Sequence, residues 1–112
     1  MKHVFLNSLA VAALVLGSAS SVYAGSAEDF YKGKTVEIYI GYGLGGTYGK
    51  SATIMGEHLK PRLGAGSVIV KSMPGAGGLK MTNYYANVAP KNGTAIMLPP
   101  DTLVITQLLK PK

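Results

Sequence analysis

Cysteine and tryptophan are absent from these 112 residues. Without cysteine there are no disulfide staples, no thiol redox chemistry, no thiolate metal ligands and no lipid attachment at a cysteine. Acidic residues are scarce, five against eleven Lys and Arg, for a formal net charge of +6. The surplus is not gathered into a stripe or run: Lys32, Lys34, Lys50, Lys60, Lys71, Lys80 and Lys91 are spread along the chain. That spread argues against a nucleic-acid groove and for a solvated surface on which a few lysines attract a small anion. Histidine is nearly absent too. Beyond residue 24 only His58 occurs, beside Glu57, with no partner at i+4 and no H-E-x-x-H, so neither a metal site nor acid–base chemistry is legible. Ser51, Ser67 and Ser72 lack the G-x-S-x-G context of an activated nucleophile. No enzyme activity is expected.

A single long apolar run is present, Val4 to Gly17, interrupted by Asn7 and Ser8 and preceded by Lys2 and His3. It falls short of the about 20 apolar residues of a membrane span. Val22-Tyr23-Ala24 follows as a small-residue cleavage site, so residues 1–24 read as an export signal cleaved after Ala24. The expected destination is the periplasm.

From residue 25 on, strand and helix patterns alternate. Glu28 to Tyr31 form a short helical turn. Thr35 to Ile40 (TVEIYI) reads as a strand with Val36, Ile38 and Ile40 on one face and Tyr39 on the other. Ala52, Met55, Leu59 and Leu63 recur at helical spacing, with Pro61 limiting the helix to an end near Lys60 to Leu63. Ser67 to Lys71 is a second strand, Gly77 to Ala89 a second helix, Pro90 to Gly93 a turn and Thr94 to Leu98 a third strand; Asp101 or Thr102 caps a last helix over Leu103 to Leu109. This order predicts an α/β domain with a parallel sheet. Three strands with two bare edges read as the front part of a larger domain, so residues 25–112 are expected to be an incomplete first lobe.

Two glycine-rich turns each join a strand to a helix: GYGLGGTYGK from Gly41 and SMPGAGG from Ser72. Free backbone N–H groups at such helix starts receive carboxylates or phosphates. Gly41-Tyr42-Gly43-Leu44-Gly45-Gly46 matches the dinucleotide fingerprint literally, but Lys71 and Ser72 stand where the ribose-binding acid belongs. Gly43 to Ser51 approaches a P-loop and misses it by one position, where Leu44 replaces the required glycine. Tyr42, Thr47 and Tyr48 flank the first turn, placed either to orient a ligand or to pack the strand end and cap the helix. A nucleotide-phosphate-binding enzyme domain is the alternative reading of these turns, and an envelope protein without ligand binding a second.

The segments Leu44-Gly45-Gly46-Thr47-Tyr48, Met73-Pro74-Gly75-Ala76-Gly77-Gly78 and Val88-Ala89-Pro90-Lys91-Asn92-Gly93-Thr94, in this order across Phe30 to Leu98, resemble the extracytoplasmic receptors of tripartite tricarboxylate transporters, the Bug family. The resemblance implies a two-lobed periplasmic binding protein of type II architecture that captures a small carboxylate and delivers it to membrane permease subunits, with no cofactor, metal or nucleic acid. By this likeness Gly45, Gly46, Thr47 and Tyr48 match the first ligand loop, and Gly75, Ala76, Gly77 and Gly78 the second glycine turn. The chain departs from the pattern at Gly49, where an aspartate is common, at Thr53 for an arginine, at Ser72 for an asparagine and at Asn92 for an aspartate.

Overall fold

Strand β1 (Thr35–Ile40) organises the molecule, because its side chains are buried on both sides of the sheet. In the computed structural model, which describes residues 25–109, β1 lies between β2 (Ser67–Ser72) and β3 (Ala95–Leu98), parallel to both. The expected export signal lies outside the described residues. Val36, Ile38 and Ile40 face one way and Tyr39 the other, as the period of two requires. Each of these fully buried side chains contributes about 2 kcal/mol of hydrophobic stabilisation.

Helix α1 (Ala27–Tyr31) starts at Ser26, whose hydroxyl accepts the Asp29 N–H at 3.2 Å, with Glu28 and Asp29 favourably placed in the first turn. Tyr31 donates to the Gly93 carbonyl at 2.9 Å and ties α1 to the turn before β3.

Helix α2 (Thr47–Leu63) covers the first face of the sheet. Ala52, Met55 and Leu59 pack on Ile38 and Ile40, together with Val68, Val70 and Leu98. Gly56 brings the helix close, since a Cβ there would stand 3.2 Å from a Val68 methyl. Pro61 sits within the last turn, and left-handed Gly64 (φ 63°) ends the helix where the sequence predicts.

Helix α3 (Leu79–Asn87) covers the opposite face, with Met81, Tyr84 and Tyr85 packed around Tyr39, Ala95 and Met97. It is shorter than the 77–89 expected from sequence. Gly77 (φ 61°) and Gly78 (φ 87°) are left-handed and belong to a 3-10 turn over Ala76–Gly78, and Val88 (φ −122°) leaves the helical region. Strand β3 likewise begins one residue late. The N–H and hydroxyl of Thr94 both turn to the Asn92 side-chain oxygen, which holds Thr94 in a turn.

The fold is thus α/β, an open three-stranded parallel sheet flanked by helices. Passing from β1 to β2 by way of α2 and then back past β1 to β3 by way of α3, on the other face, gives both crossovers the same hand. Order β2-β1-β3 also creates a topological switch point. The chain leaves β1 toward one edge and returns to the other, opening a crevice beyond the carboxyl ends of β1 and β3. A last helix, α4 (Leu103–Leu109), follows β3 and leaves Val104, Ile105, Leu108 and Leu109 exposed. Among the described residues no helix is long and apolar enough to cross a membrane.

Candidate functional site

The first glycine turn leads from Ile40 into α2 along the switch-point edge. Its tightest point is Gly49: a Cβ there would overlap the backbone of Leu44, which folds back over the first turn of the helix. Any side chain at position 49, an aspartate included, is incompatible with this loop. Gly46 is the N-cap in extended conformation (φ −85°, ψ −176°) and offers no side-chain cap. Its N–H goes to the Gly43 carbonyl at 3.3 Å, and its carbonyl accepts the Lys50 N–H at 3.0 Å. The N–H groups of Thr47 and Tyr48 therefore lack intrahelical acceptors at the positive end of a 17-residue helix whose first turn contains no acid.

Beside this helix start lies a solvent-open pocket of about 340 Å³, lined by Thr47, Tyr48, Ser51 and Leu98. Thr47 and Ser51 stand one helical turn apart and present hydroxyls on the same side of α2. Tyr48 is fixed at both ends. Its ring packs on that of Tyr42 at a centroid distance of 4.6 Å, and its hydroxyl accepts the Asp101 N–H at 3.0 Å. Leu98, at the carboxyl end of β3, closes the pocket from the sheet side.

The second glycine turn is built differently. Gly75 (φ 142°), Ala76 (φ 48°), Gly77 (φ 61°) and Gly78 (φ 87°) all lie at positive φ, a costly geometry for Ala76. Gly78 is wedged between neighbours: a Cβ on it would lie 2.7 Å from Pro100, and one on Gly41 would lie 2.6 Å from the Gly78 Cα. The two glycine turns therefore touch, backbone to backbone. Ser72 strengthens the junction by donating to the Tyr42 carbonyl at 2.8 Å, and the Met73 N–H reaches the Ile40 carbonyl at 2.9 Å.

Of the residues singled out in sequence, Thr47 and Tyr48 line the pocket, and Tyr42 supports it from behind. Gly45 and Gly46 lie exposed in the adjoining loop, while Gly75, Ala76 and Gly77 are exposed in the second turn. Gly78 is buried, and no described residue of the second turn lines the pocket. The helices of the two turns rise on opposite faces of the sheet and both start at its carboxyl edge, where the turns meet. Ser51, Leu98 and Asp101 are additions from the structure. The i, i+4 spacing of Thr47 and Ser51 was readable, whereas Leu98 and Asp101 reach the site only through the strand order.

A second polar group sits on the α3 face. The Lys71 ammonium lies 2.6 Å from Glu37, and the Tyr39 hydroxyl donates to the other Glu37 oxygen. The hydrogen bonds from Lys71 and Tyr39 hold the Glu37 carboxyl below its ordinary pKa, the same contact raises Lys71, and burial first and Glu37 second raise the Tyr39 phenol. His58 and Lys50 are exposed on α2. No cluster of three or more His, Asp or Glu suited to a metal ion occurs among the described residues.

Comparison with family models, with curated proteins and with solved structures finds no match to this chain.

Proposed function

We propose that this chain supplies the first-lobe binding edge of a periplasmic solute receptor of type II architecture, one that captures a small carboxylate for a tripartite tricarboxylate-type membrane transporter. The observation that carries the reading is the coincidence of three features at the switch point: an uncapped helix start at Thr47 and Tyr48, two hydroxyls from Thr47 and Ser51, and a pocket opening beside them. Ligands of open α/β sheets bind in this crevice, and a helix N-terminus there favours an anion. Lys50, in the first turn of α2 between Tyr48 and Ser51, adds a positive charge to this helix start.

Support for a two-lobed receptor comes from the surfaces around this edge. Among the described residues both outer strands of the sheet pair on one side only and α4 leaves Val104, Ile105, Leu108 and Leu109 exposed, as in a lobe that packs against further structure. Export agrees with the apolar segment ahead of Ala24.

Thermal unfolding of the full chain against a panel of small carboxylates, with sodium chloride at matched ionic strength, tests the proposal. A midpoint that climbs with carboxylate concentration and stays fixed in chloride is expected. Equal midpoints in every salt would overturn it. Edman sequencing of the exported protein should begin at Gly25, and retention of Met1 in cytoplasmic protein would remove the periplasmic assignment.

A further inference from the structure

The turn between α3 and β3 takes no part in the binding edge, yet it brings together the parts of a reaction. Asn92 is followed by Gly93, so a side-chain amide carbon lies next to a backbone nitrogen whose own residue has no Cβ to obstruct ring closure. Both residues are exposed. Among the described residues nothing accepts the Gly93 N–H, whereas the Gly93 carbonyl is held by the Tyr31 hydroxyl at 2.9 Å. The Asn92 amide is held as well: its oxygen accepts the Thr94 N–H at 3.1 Å and the Thr94 hydroxyl at 2.6 Å. These bonds fold the side chain back along the segment that follows it and aim two donors at the oxygen on which negative charge gathers when Cγ is attacked. Thr94 is buried, which fixes both donors in place.

We propose that Asn92 is a site of spontaneous modification, deamidated through a cyclic imide with water as the only reagent. Base in the solvent takes the Gly93 amide proton, and the electron pair of that nitrogen forms a bond to Asn92 Cγ. The Cγ–Nδ2 bond then breaks, and the departing nitrogen takes a proton from water and leaves as ammonia. Water adds to either carbonyl of the imide and opens it to aspartate or isoaspartate. In sum water is consumed, ammonia is released and no electrons change hands. Either product adds a negative charge at position 92. Aspartate keeps an acceptor for Thr94 and strengthens both bonds. Isoaspartate carries the main chain through the former side chain and takes that acceptor away, loosening the turn that Tyr31 and Thr94 tie to α1 and β3.

Peptide mapping by mass spectrometry of the full chain, kept folded at mildly alkaline pH and sampled over time, tests the proposal; the readout is the mass change of an amide becoming an acid, and fragmentation separates aspartate from isoaspartate. Asn83 and Asn87, which precede Tyr84 and Val88 in α3, are internal controls. Asn92 is expected to convert about tenfold faster than either, with both products present. An intact Asn92, or equal rates at the three asparagines, would overturn the proposal. Thr94→Val removes the hydroxyl donor while keeping the shape and the N–H, and should slow conversion about fivefold, the worth of one hydrogen bond; Thr94→Ser should restore it. Unchanged or faster conversion in Thr94→Val would show that the turn does not assist the reaction, contradicting the inference.

Discussion

The two glycine turns are alike in composition and opposite in physics. At the first, the backbone is ordinary (Gly46 φ −85°) and glycine is needed for space, at Gly41 against Gly78 and at Gly49 beneath Leu44. At the second, space around Gly77 is free and glycine is needed for conformation, since four consecutive residues hold positive φ. The consequence is visible in the helices. The first turn launches a 17-residue helix with open N–H groups, whereas the second delays its helix to Leu79 and limits it to nine residues. One turn leaves its helix start open; the other packs against it from the side.

Substitutions by alanine should rank by this difference. Gly49→Ala has the largest effect, because the new Cβ collides with backbone and not with a side chain that can rotate away; a loss of about 3 kcal/mol in urea unfolding is expected. A loss under about 1 kcal/mol would mean that the 41–46 loop readily lifts off the helix. Gly78→Ala combines positive φ with a 2.7 Å approach to Pro100 and should lose about 2 kcal/mol. Gly77→Ala meets conformational strain alone and should lose about 1 kcal/mol. Gly46→Ala stands at the other extreme, with its nearest neighbour at 3.7 Å, and should change stability by a few tenths; Gly46→Ser, adding a cap, should stabilise by a similar amount. A larger loss for Gly77→Ala than for Gly49→Ala would break the distinction between the turns.

The smallest expected effect lies on the α3 face. Glu37 has its folded pKa lowered, so its stabilising contribution is present above the ordinary carboxylate pKa and is lost as pH falls through the depressed value. Lys71 is raised, so its contribution is present below the ordinary ammonium pKa and is lost as pH rises through the elevated value. With the lysine 41% exposed the pair is well screened. Glu37→Gln should flatten the acid limb of the stability curve and leave neutral stability little altered. An unchanged acid limb would show that the contact carries no linkage.

Local pattern carried much of this architecture. TVEIYI over Thr35–Ile40 alternates so regularly that β1, its bounds and the residues on each of its faces were all legible, and the Ala52, Met55, Leu59 stripe gave the inner side of α2. Glycine composition misled where conformation was at stake: Gly77 and Gly78 read as a helix start, but both are left-handed. The need for glycine at position 49 arises from Leu44 folding back, a contact that no periodicity encodes. Leu98 joins Thr47 only because β3 lies beside β1, and Glu37 meets Lys71 only through the β1–β2 register. The last two were hidden for the same reason. Strand order is decided by the whole sheet, and the residues it brings together are far apart in the chain.

Amide shift mapping by NMR of the full chain during a benzoate titration, with chloride holding ionic strength constant, tests most directly whether the first turn is the receiving end. The expected result is saturable movement of the Thr47, Tyr48 and Ser51 amides, with Gly77 and Gly78 left in place. Movement centred on the second turn, or equal movement in chloride alone, would contradict the assignment of the pocket beside Tyr48 as the binding site.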